Sequence, residues 1–468
     1  MIMRVVDRDL VGDSRSAYLI GIGGVGMSAL ARVLKHRGLK VTGSDAKANA
    51  NTRALATEGI PVVIGHEKAA FSDTDLFIYS SAISPDNCEF RLAAASGKKV
   101  CHRAEILASL LNQARTSVAV TGTHGKTTTS SMISFILSET GRRPTCLVGG
   151  DVLNFGTNTV LGSSDLWVSE VDESDQTHEL YAPNYAIITN LEEDHMDHYR
   201  DRQHLRTSFE TFLGNMRNPG LVIYSTDDPE TSRIVAGRRG PSLGFGLAER
   251  SDYAAIHPEV RGFGMEYELY EMGFYSGQVR LSVPGLHNVT NSLAAIAVLI
   301  QLGLDLDEIL EALERFRGAR RRLEVKWKSE DLMIVDDYAH HPTEVRASLR
   351  ALAGLGRHLT VIFQPHRFSR TKYFLRDFAQ AFGHADELIL TDIYSAGEAN
   401  PENMHVGLIY DEVVRAGGPP SRILAKREIV DYLAQRPRQD GIVAFLGAGD
   451  IGETADEFTL RCKQYAAA

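Results

Sequence analysis

The chain has 468 residues, with 50 Lys plus Arg against 60 Asp plus Glu and 43% hydrophobic residues, which excludes a disordered, collagen-like or disulfide-scaffold protein. A formal net charge of -10 and a pI near 5.9 exclude a protein that grips nucleic acid by bulk charge, because a phosphate polymer demands a cationic counter-surface; a local basic pocket for a small phosphorylated ligand is compatible with both. At roughly 150 residues per domain the length predicts about three domains.

From the N-terminus, Ala17–Ile20 reads as an apolar strand, followed by a glycine turn, a helix over Met27–Arg37 ended by Gly38, and a second strand over Lys40–Asp45. Strand-like runs at Val62–Gly65 and Leu76–Ser80 continue the βαβ rhythm of a parallel sheet to about Asn112. The same logic restarts with a β-branched strand at Ser117–Val120, a glycine turn at Thr121–Gly125 and a helix over Lys126–Thr140. Strands at Leu166–Ser169, Tyr185–Thr189 and Leu221–Tyr224 follow, then antiparallel hairpins within Tyr253–Val283 and an Ala-rich buried helix over Asn288–Gly303. After the basic run Arg315–Arg322, strands at Leu332–Val335, Leu359–Phe363, Glu387–Leu390 and Ile442–Leu446 form a third α/β unit. The expected division is therefore 1–112, 113–315 and 316–468, joined by short hinges.

Cys88, Cys101, Cys146 and Cys462 lie far apart without a CxxC pair, which argues for reduced thiols in a cytosol. No apolar stretch has signal-peptide length at the N-terminus and none approaches about 18 residues elsewhere, so a cytoplasmic protein without a membrane partner is expected.

Gly21-Ile22-Gly23-Gly24-Val25-Gly26 satisfies GxGxxG between a strand and a helix, and Asp45 follows 19 residues after the last glycine. Glycines let the backbone approach a pyrophosphate at a helix N-terminus while the acid accepts from a ribose hydroxyl, so NAD and a UDP-sugar are both compatible with the spacing. Gly122, Thr123, His124, Gly125, Lys126, Thr127 and Thr128 resemble the working end of a P-loop, with Val120 where the first glycine of the full motif belongs. Lys126 suits β- and γ-phosphates and Thr127 suits Mg²⁺. A magnesium partner is expected at another strand end: Glu170, with the acidic run Asp172-Glu173-Ser174-Asp175 behind it, or the set Glu192–Asp197 that contains His195. Here hard oxygen ligands suit Mg²⁺ better than a zinc HxxH at His195 and His198. Each of these acidic runs also reads as a solvated loop.

Taken together, nine ordered motifs resemble the Mur ligases of bacterial peptidoglycan synthesis, in particular their alanine-adding branch: GIGGVGMS at Gly21–Ser28, SSAI at Ser80–Ile83, TGTHGKTTT at Thr121–Thr129, EVDESD at Glu170–Asp175, NLEEDHMDHY at Asn190–Tyr199, GLHNVTN at Gly285–Asn291, DDYAHHPTE at Asp336–Glu344, QPHRFSRT at Gln364–Thr371 and DIYSAGE at Asp392–Glu398. The resemblance implies a three-domain α/β architecture: an N-terminal Rossmann-like UDP-binding domain, a central P-loop ATPase-type domain and a C-terminal Rossmann-like domain. It implies ATP, two Mg²⁺ sites, UDP-N-acetylmuramate and L-alanine, with an acyl phosphate formed and then attacked by the amine. Gly21, Gly23, Gly24, Gly26, Asp45, Ser80 and Ser81 would then serve a UDP-sugar instead of NAD. Thr127, Glu170 and His195 would hold magnesium, and Asn288 and Asn291 would meet adenine. Arg322 and Asp337 would reach the nucleotide, while His340, His366, Arg367 and Arg370 would position alanine and the muramyl carboxylate. A monomer or weak homodimer is expected.

Two departures stand against the family pattern: Gln176-Thr177-His178 replaces a Ser-Phe pair, and Thr159 replaces a small residue, which predicts a reshaped wall near the muramyl site. The rival readings are a recycling ligase that adds a murein tripeptide to the same sugar nucleotide, a folate polyglutamate-type ligase, and a catalytically silent UDP-sugar-binding regulator. The run Asp392–Glu398, the N-terminal glycine motif and intact Lys126, Thr127, Glu170 and His195 weigh against them in that order.

Overall fold

The computed structural model describes residues 5–6, 8–66, 73–194, 198–400, 402–435 and 441–467. They divide into two compact units, one made of 1–256, 269–277 and 290–313 and the other of 257–268, 278–289 and 314–468.

The first unit begins with a parallel sheet built from β1 (Ser16–Ile20), β2 (Lys40–Asp45), β3 (Val62–Ile64), β4 (Leu76–Tyr79) and β5 (Lys99–His102), in the order β3-β2-β1-β4-β5. All five residues of β1 are buried, as befits a central parallel strand covered on both faces. Strand order reverses at β1, so the connections leave it on opposite sides and open a crevice at the carboxyl ends. Gly21–Gly26 and Ser80–Ser81 both emerge there.

A ten-stranded sheet comprises β6 (Thr116–Thr121), β7 (Thr145–Val152), β8 (Thr157–Val160), β9 (Leu166–Glu170), β10 (Tyr185–Ile188), β11 (Leu221–Ser225), β12 (Ser242–Gly246), β13 (Tyr253–Arg261), β14 (Gly264–Glu271) and β15 (Phe274–Leu281). Its order is β15-β14-β13-β12-β11-β10-β6-β9-β7-β8, which sets β6 between β10 and β9, both parallel to it. The helix Lys126–Glu139 that follows β6 is buried from Thr127 to Leu137 despite its hydroxyls. Ser131 and Ser134 return theirs to carbonyls four residues back, at 2.6 and 2.7 Å, so little polarity reaches the core unpaired.

One continuous apolar core reaches from Leu19 and Leu30 beside the first sheet to Phe209 and Val222 beside the second. Polar ties reinforce it: Asn158 Nδ2 donates to Val25 O at 3.1 Å, Arg32 reaches Asn158 Oδ1 at 3.3 Å, and Asn112 Nδ2 donates to Leu180 O at 3.0 Å.

In the second unit β16 (Glu324–Lys328), β17 (Leu332–Asp337), β18 (His358–Phe363), β19 (Glu387–Leu390), β20 (Ser421–Ile423) and β21 (Gly441–Leu446) form a sheet in the order β16-β17-β21-β18-β19-β20. Only β16 runs antiparallel to its neighbour. Separate apolar layers, around Phe363 and Phe382 and around Phe445 and Phe458, cover its faces.

The sequence reading placed several acids just beyond strands that the structure keeps inside them. Glu170 pairs with Val120, and Asp336 and Asp337 pair with Phe445 and Leu446, because neighbouring parallel strands extend the ladder past the last apolar residue. The strands absent from that reading include the edges β5, β8, β16 and β20, where burial on one side only leaves a weak apolar signal. Among the described residues no helix is long and apolar enough to cross a membrane.

Candidate active site

The first glycine loop is welded to β2: Gly21 and Ile22 donate to Ser44 O at 2.8 Å each. Gly23 is pinned from outside, since Asp45 Oδ2 accepts from Gly23 N at 2.8 Å and Asn51 Nδ2 donates to Gly23 O at 2.9 Å. Asp45, expected to accept from a ribose hydroxyl, has one carboxylate oxygen on the Gly23 amide and through it shapes the loop. At Gly26, in the first turn of the helix Val25–His36, a Cβ would lie 1.9 Å from Arg103 NH1. The missing side chain admits a guanidinium to the positive end of that helix, a placement that is unfavourable until an anion lies between them. Arg103 Nε is buried without a hydrogen-bond partner among the described residues. Gly24 precedes that helix as its N-cap, and Gly21 faces Ser80 across the crevice. Ser81 donates to Asp175 Oδ2 at 2.9 Å, which joins the crevice to the acidic loop after β9.

That loop serves the second glycine turn. Gly122 and Gly125 have φ +122 and +85, conformations that L side chains resist, and a Cβ on Gly125 would lie 2.5 Å from Asn291 Oδ1. Asn291 Oδ1 also accepts from Thr129 Oγ1 at 3.2 Å. The segment after β10 holds the crown of the loop: His124 N donates to Asn190 Oδ1 at 2.8 Å, and Glu192 N to Thr123 Oγ1 at 2.9 Å. Lys126 folds back over the loop, donating to Gly122 O at 2.6 Å and Thr123 O at 3.1 Å and pairing with Glu173 Oε2 at 2.7 Å. Burial disfavours its charge, but the carboxylates of Glu173, Asp172 and Glu170 outweigh that and hold the ammonium above its usual range. Glu173 itself is buried, and desolvation, opposed by Lys126, pushes it up to about 7.

Thr127 Oγ1 donates to Glu170 Oε1 at 3.1 Å, while Gly149 N donates to Glu170 Oε2 at 2.7 Å. A Cβ on Gly149 would lie 2.5 Å from both Glu170 oxygens, so the glycine makes room for the carboxylate. Two hard oxygen donors side by side at the head of a P-loop helix fit Mg²⁺. His195, the third expected ligand, lies outside the described residues. Thr128 is buried one position along the helix.

Of the departures from the family pattern, Gln176 stays partly exposed at φ +63, whereas His178 and Thr159 are built into the core. His178 is fully buried against Phe209 and Phe212, at ring separations of 4.8 and 5.8 Å, and its desolvated imidazole is pushed down to about 4. Thr159 is buried and donates to Asn158 Oδ1 at 3.0 Å.

The second unit gathers the remaining candidates. Asn288 Nδ2 donates to Pro284 O at 2.7 Å. The Arg322 guanidinium lies over the Tyr338 ring at 5.2 Å and 3.6 Å from Glu344. Asp337 is buried and accepts from Leu323 N at 3.1 Å, Ala339 N at 2.7 Å and Ser348 Oγ at 3.0 Å, so it braces the turn that carries Arg322. Desolvation, opposed mainly by Arg322, pushes it up to about 6. His340 and His366 meet edge to face at 5.7 Å, and Arg370 NH1 lies 3.2 Å from His366 Nδ1. Burial, with His340, Arg370 and Arg367 adding to it, keeps His366 neutral, its value pushed down to about 3.

Three family models match in sequence: "Mur ligase family, catalytic domain" over 16–115, "Mur ligase middle domain" over 120–299 and "Mur ligase, glutamate ligase domain" over 321–449. The UDP-N-acetylmuramate–L-alanine ligase of Carboxydothermus hydrogenoformans is 39% identical over 94% of this chain and 95% of its own. The chain belongs to the Mur ligase family. A Mur ligase of known structure, the UDP-N-acetylmuramate-alanine ligase of Thermotoga maritima, is 30% identical with a TM-score of 0.83, covering 96% of this chain and 99% of its own. A murein peptide ligase from Psychrobacter arcticus, 24% identical over 95% of this chain and 98% of its own with a TM-score of 0.70, shares the fold.

Arg103, Glu173, Tyr394 and Glu398 were not among the Mur ligase residues nominated from sequence. The signal for Glu173 was present, in an acidic run after a P-loop strand, but spacing assigned that run to metal and not to Lys126.

Proposed function

We propose that this Mur ligase joins L-alanine to the carboxylate of UDP-N-acetylmuramate at the expense of ATP, in peptidoglycan precursor synthesis. The observation that carries the reading is end-to-end likeness to an alanine-adding ligase, 39% identical across 94% of the chain. A P-loop lysine on a buried carboxylate and a Thr127–Glu170 oxygen pair are the equipment such chemistry requires.

A carboxylate is a poor electrophile, so phosphoryl transfer from ATP converts it to an acyl phosphate. The alanine amine then adds to the carbonyl, and the tetrahedral adduct expels phosphate to leave the amide. Lys126 exchanges Glu173 for phosphate oxygens and offsets charge on the transferring group. Thr127, Glu170 and His195 would hold magnesium, which when bound neutralises phosphate charge and orients the phosphoryl group. Asn288, Asn291 and Arg322 attend the nucleotide, with Asp337 bracing Arg322. His340, His366, Arg367 and Arg370 position alanine and the muramyl carboxylate. The proton of the attacking nitrogen leaves to solvent as the adduct collapses and phosphate departs. The segments 1–112, 113–315 and 316–468 divide these tasks in a cytoplasmic monomer or weak homodimer.

Incubation with ATP, UDP-N-acetylmuramate and a mixture of L-alanine, Gly, L-Ser and murein tripeptide, followed by product mass, tests the reading. The alanine adduct is expected; robust tripeptide product without any single-residue adduct would overturn it.

A further inference from the structure

The backbone of Arg367 is held at φ +70 and ψ 137, a region that a residue with a Cβ occupies only when its surroundings force it there. Those surroundings are a single loop after β19. Arg367 N donates to Tyr394 O at 2.8 Å, and Tyr394 N returns a bond to Pro365 O at 2.9 Å, forming a parallel bridge between His366 and Tyr394. The Tyr394 ring stacks on His366 at 5.6 Å with an interplanar angle of 9°. Glu398 then closes the arrangement: its carboxylate accepts from Arg367 Nε at 2.5 Å, from Ser369 Oγ at 2.7 Å and from Ser369 N at 3.1 Å. The loop carries strain of its own, with Ala396 at φ +50.

These contacts converge on two neighbouring side chains that the proposed function assigns to the amino acid. Fixing Nε of a guanidinium sets the plane of its fork, and a fork meets a carboxylate well only when coplanar with it. The amide and hydroxyl of Ser369 anchor Glu398 to the start of the helix Phe368–Tyr373, so the carboxylate is itself immobilised. Its charge is secure: burial alone would raise it, but the Ser369 bonds and Arg367 hold the carboxyl below its usual range.

We propose that Glu398 is a positioning residue for amino-acid capture, orienting Arg367 toward the carboxylate of the incoming amino acid while Tyr394 fixes the plane of His366. The inference rests on the reading that Arg367 serves the amino acid. Steady-state kinetics of the full-length enzyme, with each substrate varied in turn, test both. Glu398→Ala is expected to raise the KM for L-alanine about 30-fold and Glu398→Gln about tenfold, with kcat and the KM values for ATP and UDP-N-acetylmuramate within about threefold. Arg367→Ala should raise the L-alanine KM at least as much, and adding Glu398→Ala to it should change nothing further, because the carboxylate acts through the guanidinium.

If Arg367→Ala raises the L-alanine KM while folded Glu398 variants leave it unchanged, the positioning inference falls and the functional reading stands. If Arg367→Ala leaves it unchanged, the assignment of Arg367 to the amino acid falls. An equal rise in all three KM values would reduce Glu398 to a general structural role and overturn the inference. Should Glu398→Ala fail to fold, the isosteric Glu398→Gln decides the matter.

Discussion

Replacing Gly125 by alanine perturbs the P-loop at one atom. The new Cβ must sit on a residue at φ +85, which costs an L-residue about 1–2 kcal/mol. It also meets Asn291 Oδ1 at 2.5 Å, roughly 0.9 Å inside ordinary contact, so the amide must withdraw. Withdrawal breaks the 3.2 Å bond from Thr129 Oγ1, worth about 1 kcal/mol. The expected loss is about 2–3 kcal/mol of unfolding free energy, or close to 1 M in urea midpoint at a slope near 3 kcal/mol per M. The sequence holds two tryptophans, Trp167 in β9 of the first unit and Trp327 in β16 of the second. In a Trp327→Phe background the fluorescence of buried Trp167 reports on the unit that carries the loop. ATP affinity should weaken about tenfold or more in the same variant, since the amides that cradle phosphate move with the loop. A Gly125→Ala enzyme with an unshifted urea midpoint and unchanged ATP affinity would refute both the backbone argument and the packing argument.

Lys126→Ala should abolish turnover while UDP-sugar affinity, measured by calorimetry, stays within about twofold, because the lysine bonds to its own loop and pairs with Glu173. Gly149→Ala should displace Glu170 and raise the magnesium needed for half-maximal activity about tenfold, read from a titration at saturating ATP. His178, pushed down to about 4 in the fold from an ordinary 6.5, is neutral when folded and gains a proton on unfolding. Its contribution is complete above pH 6.5 and is lost as pH falls toward 4, reaching about 2 kcal/mol by pH 5. Denaturation at pH 8 and pH 5 should show that loss, and His178→Phe should flatten it.

Much of the fold was legible because punctuation and pattern agreed: Gly21–Gly26 and Gly122–Gly125 each stand between an apolar strand and a helix, where the backbone demands glycine. The reading stopped short where side chains meet across the fold. Asp45 has the spacing of a ribose acid, and only the adjacency of β1 and β2 shows that its carboxylate also accepts from the Gly23 amide. Within Gln176-Thr177-His178 the sequence does not tell which side chain turns inward; the ring positions of Phe209 and Phe212, some thirty residues on, put His178 in the core. The Arg367–Glu398 pair spans 31 residues and exists because β18 and β19 lie side by side, so that the loops following both strands emerge together. No local spacing rule encodes that meeting.

The ties from Asn158 to Val25 and from Ser81 to Asp175 set the crevice of the first sheet and the P-loop within one compact unit with a continuous core. The gap between the two loops is thus set by packing inside that unit. With the loops serving the sugar nucleotide and ATP as proposed, a donor whose carboxylate lay one bond farther from its diphosphate is expected to bind and react more slowly, which single-turnover comparison of the two donors would test.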